Sequence, residues 1–320
     1  MNSINQAKFQ YQSIEDILKD IKDVKIQGAT NVAIATFEGI KLYLQNTGSE
    51  LDSDIFEKAM SVGNKLAFAR PNEPLAQNGL KYINYFFKVK YRSPKESQEI
   101  KQVLINLCDE YLNIIKSSKV SLVEKNLDMF KDIRNVFTHC HSSAAEKLIT
   151  EISKGKEGFK VVCTETRPLF QGRITASNLL EKGLDTTMIA DSAAETYIIG
   201  KAGFPIEAVF VGADEITVHG DFVNKVGSWG ISLAAYYASI PVYVVTPLLK
   251  VNPESAYSAV QIEIREANEL WPDAPHDLKL FNPAFDFVNR QFVTGYLTEF
   301  GLIKPEDVIK TLRENYEWVF

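Results

Sequence analysis

Apolar residues recur at intervals of three and four positions through residues 13–132, and few strand signals interrupt them. Side chains with this spacing lie on one face of a helix, so the pattern predicts a series of amphipathic helices. Ser13 and Asp16 form a start signal for the first helix, which is expected to end near Val24. The other helical patterns cover residues 28–44, 52–69, 75–89, 94–115 and 120–132. We therefore expect a helical amino-terminal domain over residues 1–133.

The hydrophobic pattern changes at Asn135, where short apolar runs begin to alternate with helical segments. Strands are expected at residues 135–137, 160–163, 186–190, 208–211 and 242–245. Helices are expected to begin near Ser143, Thr175, Ser192 and Asn224. This alternation is typical of βαβ units, in which helices cover both faces of a parallel sheet. The chain is thus predicted to be an α/β protein whose residues 134–320 form a doubly wound parallel-sheet domain.

The composition is that of a globular protein, with 45% apolar and 24% charged residues. The net charge of −6 argues against direct nucleic-acid binding, which favours a basic face. The three cysteines, Cys108, Cys140 and Cys163, are too few for a disulfide scaffold and fit a reducing compartment. The amino terminus has no apolar signal-peptide core, and no segment approaches about 18 uninterrupted apolar residues. We expect a cytoplasmic protein with no membrane partner.

Cys140 lies between a predicted strand and a predicted helix, within Phe137–Ser143. Ser143 and Glu146 form a capping-box pattern that would open a helix over residues 144–152. The free N–H groups and positive dipole of such a helix start would favour a Cys140 thiolate and attract an anionic ligand. A small buried hydrophobic residue is the competing interpretation, since most unpaired cysteines belong to the core.

Polar segments follow the predicted strands at the edge where open parallel sheets bind ligands. They are residues 139–141, 164–168, 191–192 and 212–214. Asp214 comes after the small residues Gly212 and Ala213, which would let a ligand approach closely. Burial beside Cys140 would raise the pKa of Asp214 and keep it protonated. A thiolate and a protonated carboxyl group would supply a base and an acid, which favours a catalytic role for Cys140.

Several familiar sites are excluded. The chain has no Gly-x-Gly-x-x-Gly after a strand, no phosphate loop and no His-Glu-x-x-His helix. His139 and His141 flank Cys140, but alternation in an extended segment would turn the thiol away from both imidazoles. We therefore expect neither a metal nor a cofactor.

Four cations stand near predicted element ends: Arg70, Arg167, Lys225 and Lys250. Each could contact an anionic ligand, although a solvated surface charge is the more common role of lysine and arginine. For Arg167, an ion pair with Glu165 is a further alternative.

Five segments in this order resemble the family that unites ribose-1,5-bisphosphate isomerase, methylthioribose-1-phosphate isomerase and the regulatory subunits of translation initiation factor 2B. They are Thr138–Ala144, Thr164–Pro168, Gln171–Ala176, Gly212–Thr217 and Asn224–Gly227. Phe281–Asp286 resembles the ribose-1,5-bisphosphate isomerase branch more than the methylthioribose branch. The resemblance implies a helical domain, a Rossmann-like domain that binds no dinucleotide, and a homo-oligomer built from dimers.

The resemblance also implies an aldose–ketose isomerase that converts ribose 1,5-bisphosphate to ribulose 1,5-bisphosphate, with Cys140 as base and Asp214 as acid. The resemblance is also compatible with activation by a nucleotide. The residues that the resemblance assigns to the phosphates of this pentose substrate are Gln27, Gly28, Ala29, Thr30, Arg70, Ser142, Ser143, Asn224, Lys225 and Lys250.

Gln27 departs from the isomerase pattern, which usually has arginine before the Gly-Ala pair. Glutamine lacks the charge and the bidentate fork that suit a phosphate. This leaves three alternatives: a noncatalytic initiation factor 2B-like subunit, a protein that senses a sugar phosphate or nucleotide, and a methylthioribose-1-phosphate isomerase. Noncatalytic subunits of the family tend to lack the cysteine and the aspartate, so Cys140 and Asp214 favour an enzyme.

Overall fold

The computed structural model describes residues 11–47, 54–92, 96–201, 203 and 205–320. They form two compact units. The first unit contains the described residues up to Lys116 together with Tyr316–Phe320, and the second contains Ser117–Asn315. The expected boundary at residues 133–134 therefore falls inside the second unit, because the end of the helical segment belongs with the sheet.

Long helices build the first unit. They are α1 Ile14–Lys22, α2 Ala29–Asn46, α3 Ile55–Ala67, α4 Pro74–Val89 and α5 Ser97–Asn126, the last of which continues into the second unit. The start signal of α1 is confirmed, since Asp16 N donates to Ser13 Oγ at 3.1 Å. The helix ends before Val24, which has a left-handed backbone with a φ of 56°. The two helices predicted over 94–115 and 120–132 are one helix, and the predicted starts at 52 and 94 lie outside the described residues.

Close helix packing holds the first unit together. A Cβ on Gly79 would lie 2.2 Å from Phe37 Cζ and 2.4 Å from Tyr111 Cε1, so glycine is required where α4 meets these rings. The rings of Phe37 and Tyr111 lie 5.1 Å apart, and Tyr111 Oη donates to Leu75 O at 2.6 Å. Tyr111 thus buries its ring and satisfies its hydroxyl with a hydrogen bond, and its contacts join α2, α4 and α5 in one core.

The second unit contains eleven strands and six further helices among its described residues. The strands are β1 Asn135–His139, β2 Lys160–Thr164, β3 Asp185–Ile189, β4 Ala208–Val211, β5 Glu215–Thr217, β6 Phe222–Lys225, β7 Val242–Val245, β8 Val251–Asn252, β9 Phe285–Val288, β10 Gly295–Thr298 and β11 Gly301–Ile303. The helices are α6 Ser143–Ser153, α7 Gln171–Glu181, α8 Ala194–Ile198, α9 Ser228–Tyr237, α10 Ala267–Leu270 and α11 Val308–Asn315.

Two sheets organise these strands. The larger has the order β11-β10-β7-β4-β1-β2-β3 and is parallel except for β11. The smaller has the order β8-β5-β6-β9. The five predicted strands are confirmed as β1, β2, β3, β4 and β7, and with them the α/β class and the parallel sheet. The carboxyl ends of β1, β2 and β4 lie side by side and carry the candidate site.

Packed aromatic rings cover one face of the large sheet. Phe130, Phe210 and Tyr243 have ring centroids 4.9 to 5.8 Å apart. Phe210 is fully buried in β4, so the cluster fixes the strand that leads to Gly212 and Asp214. No helix in the described ranges is both long and apolar enough to span a bilayer.

Candidate active site

Cys140 occupies a strained turn directly after β1. Its backbone is left-handed, with a φ of 65°. Two hydroxyls hold this conformation: Cys140 N donates to Thr166 Oγ1 at 3.1 Å, and Thr175 Oγ1 donates to Cys140 O at 2.9 Å. A non-glycine residue in this region costs about 1–3 kcal/mol, and such strain is concentrated at functional sites.

A chain of hydrogen bonds connects the Cys140 turn to the end of β6. His139 Nε2 lies 2.9 Å from Val226 O, which can only accept, so Nε2 carries the hydrogen and Nδ1 accepts from Thr164 Oγ1 at 2.6 Å. Thr164 in turn accepts from Thr166 Oγ1 at 3.1 Å. Burial lowers the pKa of His139 and keeps the imidazole neutral. The directions of the hydrogen bonds between Cys140 and Val226 are thereby fixed.

The thiolate expected at Cys140 is not the favoured form. Burial, with a smaller contribution from the negative charge of Asp214, raises the pKa of the thiol to about 12. The positive charge of Lys225 and the backbone N–H of His141 act in the opposite direction but do not offset burial. Charges of both signs at Asp214 and Lys225 therefore act on the same sulfur atom.

Helix α6 begins one residue earlier than its sequence pattern suggests. Ser142 is the capping residue, and its Oγ accepts from Ala145 N at 3.3 Å. The predicted capping box of Ser143 and Glu146 is wrong, because Ser143 is already helical and the Glu146 carboxylate accepts from Asn178 Nδ2 at 2.8 Å. Both serines nevertheless lie at the amino-terminal end of α6, beside Cys140.

The Gly212–Asp214 segment packs directly against the start of α6. A Cβ on Gly212 would lie 2.7 Å from Ser142 Cβ and 3.9 Å from Asn224 Oδ1. Lys250 Nζ donates to Ala213 O at 2.5 Å, and half-buried Asp214 donates its N–H to Val223 O at 2.8 Å. The structure thus places Ser142, Asn224 and Lys250 against the Gly212–Asp214 segment. The contact with Ser142 agrees with the topology, since β1 and β4 are neighbouring parallel strands, whereas Asn224 comes from the smaller sheet.

Asn224 and Lys225 end strand β6, and their predicted position at a helix start is wrong. They pair with Asp286 and Phe285 in β9, and α9 begins only at Ser228. Asn224 Nδ2 donates to Ser228 Oγ at 2.8 Å, so the asparagine still anchors the helix start. The buried Lys225 side chain places Nζ 4.7 Å from the centroid of the Phe285 ring.

Arg167 is not paired with Glu165. Glu165 instead binds Arg173, with Oε2 and Nη2 at 3.1 Å, and Arg167 Nη2 donates to Leu270 O at 2.9 Å. The Asp191 carboxylate accepts from the backbone N–H of Arg167 at 2.6 Å. Arg167 therefore connects the turn after β2 to the end of α10.

The remaining predicted phosphate contacts, at the Gln27–Thr30 turn and Arg70, belong to the first unit. Gly28 precedes α2 with a φ of 81°, and Asn31 Nδ2 donates to Gln27 O at 2.9 Å. Arg70 is buried and forms an ion pair with Glu73 at 3.0 Å. Their contribution to ligand binding stays a prediction.

No metal site is evident in the part of the chain that the structure describes, where no group of three or more His, Cys, Asp and Glu residues is placed to hold an ion. His141 Nδ1 instead lies 3.0 Å from Thr175 Oγ1.

Replacing Gly212 with alanine is expected to lower kcat/KM at least about tenfold, because the new methyl group would force Ser142 and the start of α6 away from Asp214. Steady-state kinetics on purified protein would measure this loss. Gly230→Ala is the matched control, since its Cβ would meet only the mobile end of the Glu195 side chain. Unchanged kinetics for Gly212→Ala would show that the close contact with Ser142 is unimportant for turnover.

Solved structures of two proteins share this fold. Translation initiation factor eIF-2B from Pyrococcus horikoshii has a TM-score of 0.78 and 24% identity, covering 92% of this chain and 98% of that one. The 5-methylthioribose 1-phosphate isomerase of the same organism has a TM-score of 0.76 and 23% identity, covering 96% and 88% respectively.

Sequence comparison extends this relationship. The ribose 1,5-bisphosphate isomerase of Thermococcus kodakarensis is 31% identical over 315 residues, which cover 96% of this chain and 96% of that protein. Residues 25–305 match the pattern of the Initiation factor 2 subunit family, a range that includes the Cys140 turn, Asp214 and the Asn224–Lys225 pair. The chain therefore belongs to the Initiation factor 2 subunit family.

Proposed function

We propose that this protein is an aldose–ketose isomerase that converts ribose 1,5-bisphosphate to ribulose 1,5-bisphosphate. The observation that carries the proposal is the pairing of β1 with β4, which brings the Cys140 turn and the Gly212–Asp214 segment to the same edge of the sheet. The charges of Asp214 and Lys225 both influence the pKa of the Cys140 thiol. Similarity to a ribose 1,5-bisphosphate isomerase along nearly the whole chain supports an enzyme that isomerises a sugar phosphate. The cytoplasmic location, the dimer-based oligomer and the nucleotide activator remain predictions.

The reaction needs an acid because a phosphate on carbon 1 prevents spontaneous ring opening. Asp214 donates a proton to the ring oxygen, and the bond from that oxygen to carbon 1 breaks. Cys140 removes the proton from carbon 2, and the electron pair released forms a double bond between carbons 1 and 2. The hydroxyl on carbon 2 then returns a proton to Asp214 while carbon 1 takes the proton from Cys140. Acid and base catalysis of this kind contribute about 10²–10⁴-fold each.

The base form of Cys140 requires a redistribution of protons within the site. Burial disfavours the thiolate, and the negative charge of Asp214 adds to that effect. Protonation of Asp214 removes this negative charge, while Lys225 stabilises the thiolate. In the proposed mechanism the proton of Cys140 passes to Asp214, so one transfer supplies both the base and the acid.

Phosphate binding is assigned to polar groups that surround this pair. Within the second unit, Lys250 bonds to the carbonyl group beside Asp214, and Ser142 caps α6, whose N–H groups and dipole attract anions. The full proposed set is Ser142, Ser143, Asn224, Lys225 and Lys250, with the Gln27–Thr30 turn and Arg70 added by resemblance.

Assay of the purified protein with ribose 1,5-bisphosphate and with 5-methylthioribose 1-phosphate tests the proposal. We expect formation of ribulose 1,5-bisphosphate, with a higher kcat/KM for the bisphosphate. Preferential turnover of 5-methylthioribose 1-phosphate would show that the proposed substrate is wrong and that the proposed reaction, aldose–ketose isomerisation, is right. Binding of either compound without turnover would favour a noncatalytic sensor, the second candidate that Gln27 supports.

Replacing Gln27 with arginine is expected to lower the KM for ribose 1,5-bisphosphate. One charge-assisted hydrogen bond to a phosphate is worth about 1.5–3 kcal/mol, so a drop of about tenfold should be measurable. Gln27→Lys is an informative companion, since it restores the charge without the bidentate fork. A higher or unchanged KM for Gln27→Arg would show that this turn does not bind a phosphate.

A further inference from the structure

Lys119 contacts the start of α6 although no motif points to it. It lies in the part of α5 that belongs to the second unit, and its side chain is half-buried. Nζ donates to Ser143 Oγ at 3.0 Å. Ser143 is the first residue of α6 and neighbours Ser142, which packs on Gly212. Lys119 therefore contacts the helix start that packs against Gly212.

The surroundings of Lys119 are strongly cationic. Burial, together with the positive charges of Lys250 and Lys147, lowers its pKa to about 8. Among the described residues, no carboxylate forms an ion pair with Lys119. Lys250 itself reaches back to Ala213, so two lysines from distant parts of the chain approach the same helix start.

A half-buried ammonium group beside other lysines is destabilised unless an anion compensates it. Among the described residues, its one hydrogen bond goes to the Ser143 hydroxyl, which supplies no negative charge. A phosphate monoester carries about −1.5 to −2 charges and several acceptor oxygens, so it matches this group of donors. Helix α6 adds its free N–H groups and the positive end of its dipole.

We propose that Lys119 binds a phosphate group of the sugar substrate together with Lys250 and the first residues of α6, an inference that rests on the proposed function. The lysine contributes to substrate affinity. It is a binding residue and takes no part in the proton transfers.

Kinetics of Lys119→Gln with ribose 1,5-bisphosphate test this role. We expect KM to rise about tenfold or more, as for the loss of one charge-assisted contact, while kcat changes less than about threefold. Lys119→Arg should keep KM much closer to that of the unaltered protein, because it retains the charge. Lys116→Gln is the matched control: it removes an exposed lysine one helical turn away and should leave both constants unchanged.

A second measurement separates this inference from the proposed function: binding of inorganic phosphate, detected as a rise in the Tm of the protein. If the unaltered protein turns over the sugar but Lys119→Gln behaves like Lys116→Gln, the role of Lys119 is wrong and the function stands. If the sugar is not turned over, but phosphate raises the Tm of the unaltered protein more than that of Lys119→Gln, the phosphate site is supported and the isomerase activity is not. Absence of both turnover and phosphate binding overturns both.

Discussion

Replacing Cys140 with serine is expected to abolish isomerase turnover while leaving sugar-phosphate binding nearly intact. The hydroxyl has almost the shape of the thiol and is a far weaker acid, so it cannot supply the base that removes the proton from carbon 2. The left-handed turn and its contacts with Thr166 and Thr175 involve only the backbone of residue 140, so they persist in the variant. We expect kcat to fall by about 10²–10⁴-fold.

Single-turnover and steady-state assays would measure the loss, and titration with ribose 1,5-bisphosphate would measure binding. Cys163→Ala is the control, since that cysteine is buried within β2 and has no proposed contact with substrate. If Cys140→Ser retained turnover within about threefold, a barrier change below ~1 kcal/mol, Cys140 would not be the base.

Local patterns predicted the strands of the large sheet better than those of the small one. The runs at β2, β4 and β7 are short and rich in valine, and such composition is typical of a strand buried on both faces. Phe222–Lys225 instead ends in Asn-Lys, a polar pair that suits a helix start equally well. Its pairing with β5 and with β9, the latter about sixty residues further along, makes it a strand.

The positions of Cys140 and Asp214 followed from topology, but their electrostatics did not. Parallel strands bring their carboxyl ends to one edge, so residues after β1 and β4 had to be neighbours. The pKa of the Cys140 thiol depends on how deeply the turn is buried, which no local pattern records.

The polar groups that fix the Cys140 turn were also missed. Thr164, Thr166 and Thr175 are ordinary residues at a strand end and in a helix, and only their meeting with His139 and Cys140 gives them a role. The nearest sequence signal was the Thr164–Pro168 segment, which belongs to the family resemblance. Lys119 lies in a helix with many lysines, so only its contact with Ser143 distinguishes it.

Replacing Asp214 with asparagine is expected to affect turnover and thiol reactivity in opposite directions. The amide cannot donate the proton that opens the sugar ring, so kcat should fall by about 10²–10⁴-fold. The pKa of Cys140 is raised first by burial and in addition by the negative charge of Asp214. Asparagine is neutral, so the pKa of the thiol should drop below about 12, and more thiolate should be present at any given pH near neutrality.

Alkylation of Cys140 by iodoacetamide, measured as a function of pH by peptide mass spectrometry, would detect the second effect. The rate profile of Asp214→Asn should move to lower pH, whereas Lys225→Gln should move it to higher pH, because Lys225 lowers the pKa of the thiol. Asp185→Asn is the control, since this exposed residue begins β3 and should change neither turnover nor the profile. An unshifted profile for Asp214→Asn would mean that the carboxylate does not act on the sulfur. If the profile shifted but turnover stayed within about threefold of that of the unaltered protein, the carboxylate would act on the sulfur, but Asp214 would not be the acid.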